Sequence, residues 1–273
     1  MNRYRVILLL SLLLVIGCGQ NRKEHPLEVT YIANEGFMIA MGDTKVLVDP
    51  LPKSKYYVNP SDTMVSRIMK GIAPFDNVDY VLVTHDHPDH FNAELMSRFL
   101  LIHPAAQFIA STEASSKLIG DSISGRRQSG VNLGMGQRRT IRGDKAEIVA
   151  MRLEHAGASN ISNLAYVVRS SGYTIVHVGD ARLSYNEGYL RTVDWDTYAV
   201  DLLFIEYFDQ SSETQEIITN MMRPKYVVLM HIPAGEEDTV RNVNGKIHAR
   251  TVVFGKENET KRFDTAVSDE SSR

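Results

Sequence analysis

One segment constrains this chain more than any other: Thr84-His85-Asp86-His87-Pro88-Asp89-His90, directly after the apolar run Tyr80-Val81-Leu82-Val83. A strand that ends in three imidazoles and two carboxylates cannot simply run on into a core, because each of those groups is costly to bury without a partner. In extended chain His85 and His87 point to the same side. Pro88 prevents the segment from continuing as helix or ladder strand, so Asp89 and His90 swing to a neighbouring position. Three His and an Asp between positions 85 and 90 form a ligand set for a borderline cation such as zinc. The alternative is a polar strand end with solvated His. It requires four ligand-type residues to gather by chance at the carboxyl end of an apolar strand, where ligand sites of α/β sheets lie.

The surrounding chain supplies layers for such a segment. Strand-like runs are expected at 28–32, 37–41 and 45–48, punctuated by Gly36 and Gly42-Asp43. Residues 51–60 hold two prolines, two tyrosines and no period, so they read as a loop. Ser61 or Asp62 caps an expected helix through Gly71, and Asn92 caps another that ends before Pro104. A strand at 107–110, a helix at 112–119 and a Gly/Ser-rich loop at 122–137 follow. The second half repeats the alternation, with strands at 146–153, 164–169, 174–178, 202–205, 226–230 and 251–254 and helices at 213–222 and 236–240. Residues 256–273 are polar and read as a frayed tail. No linker divides the chain, and the order suits one layered α/β domain spanning residues 27–255.

The motif and its position after a strand resemble the metallo-β-lactamase superfamily, whose signature His-x-His-x-Asp-His is met by His85, His87, Asp89 and His90. The resemblance implies a four-layered αββα sandwich with a metal site at the edge of the sheets. It also implies three further ligands at strand ends: His155 in Glu154-His155-Ala156-Gly157, Asp180 in Gly179-Asp180, and His231 in Met230-His231-Ile232-Pro233. By the same resemblance His85, His87 and His155 hold one divalent ion, Asp89, His90 and His231 hold a second, and Asp180 bridges them. Zinc is the first choice of metal, with manganese or iron as alternatives. The implied chemistry is a metal-dependent hydrolase in which two ions activate hydroxide against an ester, lactone, amide or phosphodiester, with Asp89 in the catalytic centre. A non-catalytic metal- or partner-binding protein of the same fold is the alternative.

Residues 29–50 look like the N-terminal hairpin of the subgroup containing L-ascorbate-6-phosphate lactonase-like enzymes and N-acyl phosphatidylethanolamine-type phospholipase D. Asp49-Pro50 matches a strand-end element, with Asp49 bracing the metal loop rather than binding metal. That subgroup often has Gly-His before its small and aromatic residues, where this chain has Asn34-Glu35-Gly36-Phe37. Candidate substrate contacts are Tyr56, Tyr57, Asn160 and Asn163, each with a plain alternative as core cover or turn cap. Arg126 and Arg127 read as a solvated face, and His177 as a satisfied core histidine or a brace on a ligand. The expected substrate is a small or lipid-like molecule. Lys and Arg total 30 against 33 Asp and Glu, so nothing favours extended nucleic-acid contacts.

Cys18, the single cysteine, excludes a multi-cysteine zinc site and an intramolecular disulfide. Arg3 and Arg5 precede an apolar run at 6–16 that is short for a membrane span. The run ends in Val15-Ile16-Gly17-Cys18, which resembles a bacterial lipobox. That implies a signal peptide at 1–17, acylation of Cys18, a polar tether to residue 26, and a membrane-anchored, extracytoplasmic protein of the cell envelope. A plain signal peptide with an incidental Cys is the alternative. Removing residues 1–17, Arg3 and Arg5 among them, takes the net charge from −3 to −5.

Overall fold

The structure is a computed structural model that describes residues 26–119, 128–243 and 247–264. The leader, Cys18, most of the tether, Arg126 and Arg127 lie outside the described residues. The first sheet contains β1 (Leu27–Ala33), β2 (Gly36–Met41), β3 (Thr44–Val48), β4 (Tyr80–Leu82), β5 (Gln107–Ser111) and β6 (Gln128–Val131). The second contains β7 (Arg138–Arg142), β8 (Glu147–Arg152), β9 (Leu164–Ser170), β10 (Tyr173–His177), β11 (Leu202–Glu206), β12 (Tyr226–Met230) and β13 (Thr251–Val253). A last strand, β14 (Thr260–Phe263), returns to the first sheet. Among the described residues two mixed seven-stranded sheets result, in the orders β14-β1-β2-β3-β4-β5-β6 and β13-β12-β11-β10-β9-β8-β7.

Period-two alternation explains the layering. In β3 and β4, Val46, Val48, Tyr80 and Leu82 face the second sheet and join one core with Ile148, Val167, Ile175 and Leu203. Leu47, Val81 and Val83 face the other way and pack with Met64 and Ile68 of α1 (Asp62–Met69) and Met96 and Phe99 of α2 (Ala93–Ile102). Ser61, one of the two candidates for the first cap, and Asn92, the expected second, cap these helices by accepting from the backbone N–H of Met64 and Leu95. Helical turns carrying Leu190, Trp195, Ile217 and Ile218 pack into the core of the second sheet. The layers therefore read helix, sheet, sheet, helix.

Three strands depart from the sequence reading. β6 lies inside the stretch expected to be loop, β7 begins just after it, and β14 lies in the expected frayed tail. All three are edge strands. The sequence of β7, RRTIR, is mostly exposed, and that of β14, TKRF, buries only Phe263. An edge strand packs little apolar surface and carries charge that blocks further pairing, so it shows no hydrophobic period. The tail boundary at 255 is corrected accordingly: Thr30 to Thr260 and Leu27 to Phe263 are in register, and the domain runs at least to Phe263. No helix among the described residues is long and apolar enough to cross a membrane.

Candidate metal centre

The carboxyl ends of β3, β4, β8, β10, β11 and β12 and the β1–β2 turn converge at one rim, and every side chain of the centre comes from one of them. Asp49, just past β3, adopts a left-handed φ of 42° and sends its carboxylate back under the β4 loop. Asp49 Oδ1 accepts from the Thr84 N–H at 2.8 Å and Oδ2 from the Thr84 hydroxyl at 2.6 Å. Oδ2 also lies 2.9 Å from His90 Nδ1. A carboxylate only accepts, so Nδ1 carries a proton. His90 Nε2 is thereby directed at Asp180 Oδ1, 2.9 Å away.

Asp180 is placed by the residue before it. Gly179 has φ 58°, and a Cβ there would meet Asn163 Oδ1 at 2.4 Å and Thr84 Cβ at 2.8 Å. Only glycine fits this close approach. Asn163 donates to Val178 O at 3.0 Å and accepts from the Asp180 N–H at 3.2 Å. It is fully buried and holds the Asp180 loop, which corrects its reading as a substrate contact. His231, past β12, is also left-handed, with φ 60°.

Two donor groups form around Asp180. His85, His87, His155 and Asp180 offer one atom each within 4.8 Å of one another, and so do Glu35, His90, Asp180 and His231. Asp180 Oδ2 lies 3.2 Å from His155 Nε2, 3.8 Å from His85 Nε2 and 3.9 Å from His231 Nε2. Asp89 stands against the second group, its Oδ2 3.3 Å from His231 Nε2 and 3.6 Å from His90 Nε2.

The electrostatics call for cations. Burial alone would lower His90, but the Asp180 and Glu35 carboxylates outweigh it and hold the imidazole well above its ordinary range. His85 is pushed well down by burial, reinforced by His90. Burial would raise Asp180, yet His90 and His85 pull it well below the usual carboxylate range. Glu35 is driven well up by burial and by the charge of Asp180. His90 Nε2, His155 Nε2, Asp180 Oδ1 and both Glu35 oxygens are buried without hydrogen-bond partners. An Nε2 lone pair facing a carboxylate at this range is repulsive unless a proton or a metal ion lies between them. Residues with such atoms fit bound metal, and the N/O donor set suits zinc, manganese or iron.

Beside the groups is a cavity of about 390 Å³ lined by Tyr57, His155, Asp180, Arg182, Glu206 and Phe208, among others. The Tyr57 ring lies 4.5 Å from that of His231. Tyr56 is 90% exposed and Asn160 is exposed; neither lines this cavity, so the structure does not bring them to the centre. Asp86 pairs with Lys117 and His103 with Met69 O. His177 is fully buried, facing Glu35 O through Nε2 and accepting from the Gly179 N–H through Nδ1, so it braces both loops. Sequence reasoning missed Glu35 and Glu206. Glu206 has both oxygens buried and unpartnered, and burial together with the charges of Asp180 and Asp209 pushes it far up. Its signal was a lone acid closing the apolar strand β11, in the same place as Asp180 after β10 and His231 after β12.

The family profile described as the beta-lactamase superfamily domain matches residues 28–231. The chain belongs to the metallo-β-lactamase superfamily. Among its relatives, a metal-dependent hydrolase of Pyrobaculum islandicum is 23% identical over 210 residues, covering 75% of this chain and 84% of that one. One of Pyrococcus furiosus is 26% identical over 213 residues, with the same coverage. The metallo hydrolase Igni18 of Ignicoccus hospitalis superposes with a TM-score of 0.60 at 19% identity, covering 89% of this chain and 100% of that one. The metallo-beta-lactamase fold protein YhfI of Bacillus subtilis gives 0.60 at 18% identity, covering 87% and 99%. These structural likenesses show the fold.

Proposed function

We propose that this chain is a dinuclear metal-dependent hydrolase that cleaves an ester, lactone, amide or phosphodiester bond. The observation that carries the reading is the Asp180 carboxylate set between His155 Nε2 at 3.2 Å and His90 Nε2 at 2.9 Å, with both nitrogens otherwise unpartnered. The relatives, which are metal-dependent hydrolases by name, support its coarser part, a metal-dependent hydrolase. In this reading His85, His87 and His155 hold one ion, His90, His231 and Asp89 the other, and Asp180 both. When bound, such a pair supplies Lewis acidity and a water acidic enough to ionise near neutral pH. The protein's own part is positioning. Asp49 fixes the ring of His90 through Nδ1, as braces on metal-ligating histidines do. Burial works against ionising Asp89, but the bond from His231 and the field of His90 keep it below the usual range and therefore charged.

Tyr57, Phe208 and Pro233 give the cavity an aromatic and apolar wall beside the Arg182 guanidinium, which lies 5.0 Å from the Phe208 ring. That lining favours a small or lipid-like substrate with an apolar body and a polar or anionic group. The test is metal content and turnover together. Full-length chain should bind two ions and hydrolyse at least one of a panel of esters, lactones, amides and phosphodiesters supplied with zinc, manganese or iron. His155→Ala and His231→Ala should each lose one ion. Loaded protein that turns over nothing favours the binding-protein alternative, and protein that stays metal-free in excess zinc and manganese refutes the reading. We also propose that Cys18 is acylated and anchors the enzyme in the cell envelope. Labelled palmitate should enter the wild type and not Cys18→Ser; equal labelling of both would reject the anchor.

A further inference from the structure

The turn between β1 and β2 consists of Asn34 and Glu35, with Ala33 paired to Gly36. Hairpin tips ordinarily face water, and a glutamate there is ordinarily solvated. In this turn Asn34 is 1% exposed and Glu35 is 0% exposed. The turn is locked beneath the metal loop at several points. Asn34 takes a left-handed φ of 51° and donates from Nδ2 to Asp89 O at 3.1 Å. His177 Nε2 lies 3.2 Å from Glu35 O. A Cβ at Gly36 would meet Asp49 O at 2.8 Å and Ala33 O at 2.9 Å, so no larger residue lets the turn sit this deep.

These contacts engage the backbone and Asn34, and leave the Glu35 carboxylate with no hydrogen-bond partner on either oxygen. Oε2 lies 3.6 Å from His90 Nδ1, but that nitrogen is already committed to Asp49 at 2.9 Å. A buried carboxyl group with no donor is costly to ionise, and a cation beside it removes that cost. The candidate cation position is adjacent, since Glu35 offers an oxygen within 4.8 Å of donor atoms of His90, Asp180 and His231.

We propose that Glu35 is a further ligand of the second metal ion, making that half of the centre rich in carboxylates and selective for an oxygen-preferring cation such as manganese. The inference rests on the dinuclear reading. With Glu35, Asp89 and Asp180 beside His90 and His231, the second ion has a harder donor set than the first, which has three imidazoles and one carboxylate. Carboxylates suit manganese, whereas imidazoles suit zinc.

Glu35→Gln tests this, because it keeps the shape and removes the charge. Metal-free full-length chain is titrated with manganese alone and with zinc alone, with bound metal measured by mass spectrometry after equilibrium dialysis and by manganese paramagnetic resonance. Wild type should bind two ions. The variant should keep the first ion and bind the second about tenfold to a hundredfold more weakly, with the larger loss for manganese. Thermal unfolding of the metal-free proteins guards against misfolding: the variant should be about as stable as wild type, since Gln has the shape of Glu and the Glu35 oxygens have no hydrogen-bond partner to lose, and should gain less on metal addition. Unchanged affinity for the second ion, or a less stable metal-free variant with unchanged affinity, overturns the assignment and leaves Glu35 as a structural group. Fewer than two ions in wild type overturns the dinuclear reading, and the inference with it.

Discussion

The two donor groups share Asp180 and differ in almost everything else. The first is built from imidazoles on two loops: His85 and His87 after β4, and His155 after β8. His87 is partly open to solvent, and His155 lines the cavity. The second places carboxylates around two imidazoles. His90 is fully buried, held by Asp49 from below and flanked by Glu35, while Asp89 leans on His231. An imidazole can be buried neutral at modest cost, whereas each carboxylate needs a cation or a donor set to stay charged. In the proposed dinuclear reading, one half of the centre thus tolerates an empty state and the other depends on its ion.

The largest expected effect comes from the residue the halves share. Asp180→Ala should release both ions and lower kcat/KM by about a thousandfold or more, at least ~4 kcal/mol of transition-state stabilisation. Metal analysis alongside kinetics checks it, and loss of a single ion would show that Asp180 belongs to one half only.

Next is a pH effect beneath the second half. Burial pushes His177 down to about 4. Nδ1 must accept from the Gly179 N–H, so the folded state needs the ring neutral. The unfolded chain takes up its proton near pH 6.5, so between about 6.5 and 4 the unfolded state binds more protons and stability falls as pH falls. Wild-type stability, measured against His177→Gln in metal-loaded protein, should drop by up to about 3 kcal/mol across that window. Denaturant unfolding at stepped pH reads this directly, and a flat difference would mean that the ring is not held neutral.

The smallest effect sharpens the asymmetry. Asp49→Asn removes the charge that orients His90 while keeping an acceptor for Thr84. It should weaken the second ion by about tenfold and leave the first nearly unchanged. Equal weakening of both would mean that Asp49 supports the rim as a whole.

Much of this was legible in one dimension. The β4 loop carries its candidate donors contiguously, so His85, His87, Asp89 and His90 were visible as a cluster, and the resemblance to the superfamily pointed to His155, Asp180 and His231 at later strand ends. Glu35 was not visible, because a glutamate in a Gly-bounded turn is what any solvated hairpin would show. Only the stacking of β1–β2 under the metal loop buries it. Asn163 was misjudged for the related reason that its partners, Val178 and Asp180, are brought close by β9 and β10 pairing. The edge strands β6, β7 and β14 were missed because half-exposed strands carry no apolar run.

The sequence by itself determined most of the alternation of strands and helices, the helix cap at Asn92 and the cluster His85 to His90, since these depend on local period and local chemistry, and the resemblance it carries pointed to the other donors. The tertiary structure decided which strand ends share a rim, that Asp180 stands between the two donor groups, and that the second of them is lined with carboxylates. Those facts depend on residues far apart in the chain being forced together by packing, and a buried charge becomes informative only once the structure shows that no water can reach it.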